Sequence, residues 1–297
     1  MQNKLNQRTT KLKQDVPTRW NSTFEMLERL WLNKEAIVST LAILNSKLSL
    51  DENDWLTIEH SINILRVFYE VTVEISSEIN VSLSKSALLT KILRRKVQQY
   101  SQNNNLPIDV QKLSDELISE MNKRFNMRES SELIHQAIVL DPRFKRHGFE
   151  NDELFRITHQ SIVRKIRCVG IAPNTEAGSA NVGENSKARS SVWDEFDDVV
   201  NKLQAKQDPL AASIVEMDKY LAEPLLNRTG DPLVWWEERR SVYPKLYELM
   251  QKRLCIPATS VPCERIFSKA GNIYCERRSR LTTKNFERMI FINHNFV

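Results

Sequence analysis

Four segments hold residue types and spacings that could do chemistry. Residues 256–273 read IPATSVPCERIFSKAGNI, where Ser260 can cap a helix carrying Glu264, Ile266 and Phe267. A carboxylate in that first turn is favoured by the helix dipole and can pair with Arg265 or a later arginine. As a metal ligand Glu264 needs company, because two-metal phosphoryl chemistry requires several acids around ions about 3.5–4 Å apart. Residues 135–144 read HQAIVLDPRF. Asp141-Pro142-Arg143 is a helix stop with an ion pair within reach, and no neighbouring residue type supports catalysis by Asp141. Residues 15–27 read DVPTRWNSTFEML, with Asn21 or Ser22 placed to cap a helix and Glu25 to close a capping box. Trp20 is then a core or staple residue, or, in a basic segment, a platform for an unpaired base while Arg19 meets phosphate. Trp235 and Trp236 open a stripe continued by Tyr243, Leu246, Leu249, Met250 and Leu254, which suits either a core or a protein–protein interface.

The elements that must position these residues read as helical almost throughout. Apolar periodicity predicts helices at 22–44, from a cap at Asp51 or Asn53 to about Ser76, and at 84–100, 109–126, 130–140 and 152–169. Leu56, Ile58, Ile62, Leu65, Phe68 and Val71 form the stripe of the second. Residues 71–81 are rich in β-branched side chains and are kept helical. Residues 171–191 (IAPNTEAGSANVGENSKARSS) have almost nothing to bury and read as a disordered linker. Helices follow at about 193–206 and 209–222, across 232–254 with a break near Pro244, and at 261–270 and 283–296.

The 297 residues include 41% apolar and 27% charged side chains, a globular balance. Only six glycines occur, which disfavours a glycine-rich phosphate-cradling loop. No apolar run reaches the roughly 18 residues of a membrane helix, and the start, MQNKLNQRTTKLKQ, lacks the apolar core of a signal peptide. Cys168, Cys255, Cys263 and Cys275 form no CxxC and no zinc-finger spacing, so reduced intracellular thiols are expected. The net charge of +5 is unevenly spread. Residues 1–30 carry six Lys/Arg against three acids, 141–170 seven against four, and 251–297 nine against three. An acidic block, Asp194, Glu195, Asp197 and Asp198, lies beside Trp193. The basic stretches are solvated surface or a nucleic-acid face.

Taken together the segments resemble the hAT superfamily of DNA transposases and their domesticated relatives, the zinc finger BED domain-containing proteins. DVPTRWNSTFEML looks like the Arg-Trp segment opening the family's helical insertion domain, and AIVLDPRFK like a recurrent segment within it. The run from Asp231 to Asn293, DPLVWWEERRSVYPKLYELMQKRLCIPATSVPCERIFSKAGNIYCERRSRLTTKNFERMIFIN, looks like the C-terminal dimerisation region. The resemblance implies a mainly α fold: a helical insertion-type domain at 1–170, the linker at 171–191, and at 192–297 a dimerisation region contributing the last helices of an RNase H-like catalytic domain.

It also implies roles. Glu264 matches the last carboxylate of a DDE-type triad, and Trp20 a tryptophan that stacks on a flipped base. DNA contacts are expected from Arg19, Trp20, Arg277, Arg278 and Arg280. Dimerisation is expected from Trp235, Trp236, Tyr243, Leu246, Leu249, Phe267, Ile290, Phe291 and Ile292. The family's two catalytic aspartates lie upstream of the Arg-Trp segment. Here 18 residues precede Arg19, and their one aspartate, Asp15, belongs to that segment. Neither BED finger nor upstream Cys/His motif is present in these residues. The reading is a non-enzymatic dimerisation module without cofactor or metal, with Glu264 a relic. Its partners are itself or a related hAT protein, with DNA as a weaker one, in the nucleus by resemblance and otherwise in the cytoplasm. The competing reading is a fragment of an active transposase.

Overall fold

A computed structural model of the protein describes residues 2–5, 9–17, 19, 21–44, 47–103, 105–129, 131–168, 209–274 and 281–296. The expected linker at 171–191, the helix at 193–206 and the acidic block lie outside the described residues. Within them the fold is helical, with no strand: α1 (Ser22–Leu32), α2 (Lys34–Ile43), α3 (Glu52–Ile75), α4 (Leu83–Ser101), α5 (Ile108–Glu129), α6 (Glu132–Leu140), α7 (Asp152–Arg167), α8 (Pro209–Ala222), α9 (Pro232–Glu238), α10 (Pro244–Leu254), α11 (Val261–Ile273) and α12 (Thr283–Asn295). None of these helices is long and apolar enough to cross a membrane. The chain forms two compact units. The first joins Met1–Ser131 to Pro257–Val297, and the second is Glu132–Ile256.

In the first unit, α3 packs against α1 and α4, and α4 packs against α5. Phe24 of α1 stacks on Tyr69 of α3 at 5.0 Å, while Lys34 lies 5.1 and 5.2 Å from the Trp31 and Trp55 rings. The helix expected over 22–44 is broken at Asn33. This asparagine is buried, and its Nδ2 donates to the Arg29 carbonyl at 2.6 Å, while its Oδ1 accepts from Thr10 Oγ1 and Gln2 Nε2. A short amide that bonds backbone and a distant segment at once competes with helix continuation. Asp51 caps α3 as expected, in a reciprocal box with Asp54 (2.7 and 3.0 Å). The buried face of α3 is Trp55, Ile62 and Ile64, whereas Leu56 of the expected stripe is 44% exposed. Past Ile75 the chain leaves the helix, and Asn80 N donates to Ser77 Oγ in the following loop.

The second unit is built around α6. His135 to Leu140 are all buried, so beyond its exposed first turn this helix has no solvent face and its C-terminal carbonyls need protein donors. Tyr220 Oη donates to the Val139 carbonyl at 2.9 Å, and Trp236 Nε1 donates to the Leu140 carbonyl at 2.8 Å. The chain then turns on Asp141, whose carboxylate accepts from Arg143 N, Nε and a terminal guanidinium nitrogen at 3.0, 2.9 and 2.6 Å, both side chains being buried. Lys145 adopts a positive φ of 45°, an uncommon conformation for a residue with a Cβ. Its ammonium donates to the carbonyls of Tyr220 and Glu223 at 2.6 and 2.8 Å, which holds the turn in place. Gly148 closes the turn where a Cβ would sit 2.3 Å from Ile138 Cγ2.

Helix ends are joined across this unit in the same way elsewhere. Pro244 starts α10, and its preceding residue Tyr243 makes no side-chain cap. Glu216 of α8 supplies one, its Oε1 accepting from Leu246 N at 2.8 Å. Replacing Trp236 by alanine removes a fully buried ring stacked on Tyr220 and orphans the Leu140 carbonyl. The expected loss is about 3–5 kcal/mol in urea unfolding. Trp236→Phe, which retains most of the ring packing but not the donor, is expected to lose about 1–3 kcal/mol.

Candidate functional site

The residues expected to face a partner separate into two groups. Trp235, Trp236, Tyr243, Leu246 and Leu249 are buried inside the second unit. Tyr220 stacks on Trp236 (5.0 Å) and meets Tyr243 edge-on (5.9 Å), and Arg239 lies 4.4 Å from the Trp235 ring. Tyr243 Oη donates to Glu223 at 2.5 Å, and Arg239 Nε binds the same carboxylate at 3.0 Å. Burial opposes that charge, but these bonds hold the Glu223 carboxyl below its ordinary value. The aromatic stripe is therefore core, because its polar ends are needed by backbone and carboxylate groups of the same chain.

The second group lies on α11 and α12, which pack together in the first unit with Tyr274 edge-on to Phe286 at 5.7 Å. Phe267 is 74% exposed and Phe291 63%, with Ile292, Phe296 and Tyr274 also exposed, while Ile290 is half-buried. No described side chain of α12 is fully buried. Large apolar groups left in water on a helix pair are what an association surface looks like before its partner arrives.

Glu264 is exposed in the first turn of α11. Its Oε1 accepts from Ser260 Oγ at 2.6 Å, so Ser260 bonds this carboxylate and makes no side-chain cap to the backbone. Arg265 pairs instead with Glu78, at 3.2 Å. Among the described residues no three His, Cys, Asp or Glu side chains converge. Asp141 is engaged by Arg143, as its sequence context indicated. Arg19 is exposed; Trp20, Arg277, Arg278 and Arg280 lie outside the described residues. The capping box expected at Asn21, Ser22 and Glu25 does not form. Ser22 Oγ bonds Asp15 and the Val16 and Arg19 backbone, and Glu25 pairs with Lys13 at 2.5 Å. Bonds from Ser22 and Thr23 also hold the Asp15 carboxyl below its ordinary value.

Comparison with known proteins places these features. Residues 216–296 match the hAT family C-terminal dimerisation region, and residues 1–64 match the ZBED1 RNase-like helical domain. The chain is thus a relative of the zinc finger BED proteins and the hAT transposases. It is 25% identical to human zinc finger BED domain-containing protein 4 over 95% of this chain and 24% of that protein. It is 25% identical to the maize Putative AC transposase, over 93% of this chain and 36% of that protein. Human zinc finger BED domain-containing protein 6 is 23% identical over 96% of this chain and 32% of its own length. The chain therefore spans about a quarter to a third of these relatives. The dimerisation match crosses both units, with 216–256 supplying the aromatic core of one and 257–296 the exposed helix pair of the other.

Burial shifts two charged groups of the second unit, the buried Lys145 and the half-buried Glu216. Burial draws the Lys145 ammonium down to about 8, against the attraction of Glu223. Burial pushes the Glu216 carboxyl up, against its bonds to the Leu246 and Lys245 backbone. A carboxyl raised in the folded state binds its proton more tightly there, so its stabilising contribution is present at low pH and lost as pH rises through the raised value. Glu216→Gln keeps an acceptor for Leu246 N and removes this titration. The stability of the natural protein relative to Glu216→Gln is expected to rise as pH is lowered from 7 towards 5, measured by urea unfolding at each pH. A difference independent of pH would refute the assignment.

Proposed function

We propose that this chain is a protein dimerisation module of a domesticated or truncated hAT transposase, acting in the nucleus on itself or a related hAT protein. The observation that carries this is the exposure of Phe267, Phe291, Ile292 and Phe296 on α11 and α12, within the match to the dimerisation region. In this reading residues 1–170 are the insertion-type part and 192–297 the dimerisation region. Trp235, Trp236, Tyr243, Leu246 and Leu249 support the module from its core, while Phe267, Ile290 and Phe291 meet the partner. DNA is a weaker partner, reached through Arg19, Trp20, Arg277, Arg278 and Arg280. The module performs no strand cleavage of its own. Glu264, the single member of the triad that the resemblance finds here, serves the start of α11 through Ser260.

A second reading is a fragment of an active transposase, favoured by the 36% share of the maize relative that the chain spans. It predicts specific strand cleavage once upstream sequence supplying two aspartates is joined to this chain.

Light scattering on the size-exclusion peak tests the dimer. The expected mass is about twice 34.7 kDa. Phe267→Glu with Phe291→Glu is expected to give a folded monomer of unchanged helicity, since both side chains are exposed. A wild-type chain that remains a folded monomer at tens of micromolar would overturn the proposal.

A further inference from the structure

The first unit has a second apolar surface, on α2. The sequence of this helix, KEAIVSTLAI, is apolar on several sides, yet Ala36 is its one buried residue. Val38 is 46% exposed, Ile43 66%, and Leu44 at the helix end 69%. A helix that is apolar all round is ordinarily covered by protein, and one of ten residues is too short to persist in water by itself. One side of α2 forms the wall of a groove of about 360 Å³, whose opposite wall is the N-terminal segment with Gln2 and Leu12. The polar groups lining it are engaged. The Gln2 amide bonds the carbonyl and N–H of Thr10 (2.8 and 3.1 Å) and also Asn33, the Asn33 amide donates to the Arg29 carbonyl, and Thr40 Oγ1 donates to the Ala36 carbonyl at 2.6 Å. What remains for an occupant is the apolar surface of Leu12, Ala36, Ile37 and Leu41. Ile37, Leu41 and Leu44 recur at helical spacing, so the stripe from Asn33 to Leu44 runs for about 16 Å.

The walls of this groove are charged with one sign. Residues 1–14 carry Lys4, Arg8, Lys11 and Lys13 and no acid, and residues 36–50 carry Lys47 and no acid. Lys13 pairs with Glu25, whereas Lys4, Lys11 and Lys47 are exposed and have no ion-pair partner among the described residues. We propose that the groove docks an amphipathic helix of a partner protein, with an apolar stripe that covers Leu12, Ile37, Leu41 and Leu44 and with aspartates or glutamates on its flanks. Charge complementarity selects this occupant. A second copy related by a two-fold axis would set the same lysines against one another. The exposed helices α11 and α12 of another copy do not match either, since each carries two Lys/Arg against one Glu. The described residues contain no strand, so the partner adds as a helix in a groove and not along a sheet edge. The groove has no aromatic lining on which a nucleic-acid base could stack. Its residues are separate from the α11–α12 surface, and the inference does not depend on the dimer.

The probe is a synthetic, dye-labelled helical peptide of about five turns, with leucine at the i, i+3, i+4 and i+7 positions and glutamate on both flanks. Its twin has lysine in place of each glutamate. Fluorescence anisotropy with the full chain at low salt is expected to show the glutamate peptide binding about tenfold more tightly than the twin, the difference shrinking as salt is raised. Leu44→Gln, at an exposed position, is expected to weaken the glutamate peptide about threefold, and Ile37→Gln with Leu41→Gln about tenfold with helicity unchanged. Lys4→Gln with Lys11→Gln is expected to narrow the gap between the two peptides to about threefold. Phe267→Glu with Phe291→Glu is expected to leave peptide binding within about twofold. The proposal is overturned if the glutamate peptide does not bind, if its lysine twin binds equally, or if the Leu44 and Ile37/Leu41 variants bind as the natural chain does. It is also overturned if Leu44→Gln lowers the mass measured by light scattering, because a second copy is then the occupant. A mass that falls only with Phe267→Glu and Phe291→Glu supports two separate surfaces.

Discussion

The constraint on which the second unit depends is that a helix whose last six residues are buried on every side must still satisfy its end. The last carbonyls of α6 are out of reach of water, and an unpaired buried carbonyl costs about 1–3 kcal/mol. Val139 and Leu140 obtain their donors from Tyr220 and Trp236, side chains 81 and 96 residues further along the chain. Those two rings stack on each other, which draws in Trp235 and Tyr243 and closes the core. Lys145 returns the service, donating to the carbonyls at the end of the helix that carries Tyr220. Glu216 on that same helix then caps α10. The C-terminal ends of α6 and α8 and the N-terminal end of α10 are thus each completed by a side chain from another part of the unit, whereas α7 and α9 are capped locally by Asn151 and Asp231.

This arrangement decides what remains for a partner. Tryptophan and tyrosine are the usual anchors of an interface, but here their N–H and O–H groups are already committed to backbone and carboxylate acceptors in the same chain. The large apolar side chains left exposed within the match to the dimerisation region are those of α11 and α12, where phenylalanine and isoleucine carry no polar atom that folding must satisfy. The same logic explains the charged motifs: Asp141 and Arg143 are buried together and bond one another, and Glu264 accepts from a neighbouring hydroxyl.

How far the sequence could be read depended on the range of the interaction concerned. Helix boundaries set by local chemistry were readable in it: a cap at Asp51 or Asn53 before α3, which the fold places at Asp51, Pro142 after α6, and Pro244 dividing 232–254. The break at Asn33 was not, because it arises from bonds to Gln2 and Thr10, well separated in the chain. The buried face of α3 was misplaced towards Leu56 because aliphatic periodicity was followed where Trp55 supplies the burial. The site was readable in part. Phe267 and Phe291 were grouped by resemblance with Trp235 and Trp236 as dimerisation residues, and the fold exposes the two phenylalanines and buries the two tryptophans; the sequence could not separate them, since core and surface both use large apolar groups at helical spacing.

By itself the sequence determined that the chain is helical, through apolar spacing near 3.6 residues and a few caps and prolines, and which family it is related to, through its Arg-Trp, Asp-Pro-Arg-Phe and C-terminal segments. Tertiary structure alone decided which of two chemically identical options each residue took. The indole of Trp236 turns inwards and becomes a donor to a stranded carbonyl, and the ring of Phe291 turns outwards and stays exposed. Amino-acid type sets what a side chain can do, but the partners that select among those capacities lie tens of residues away and are brought near only by folding.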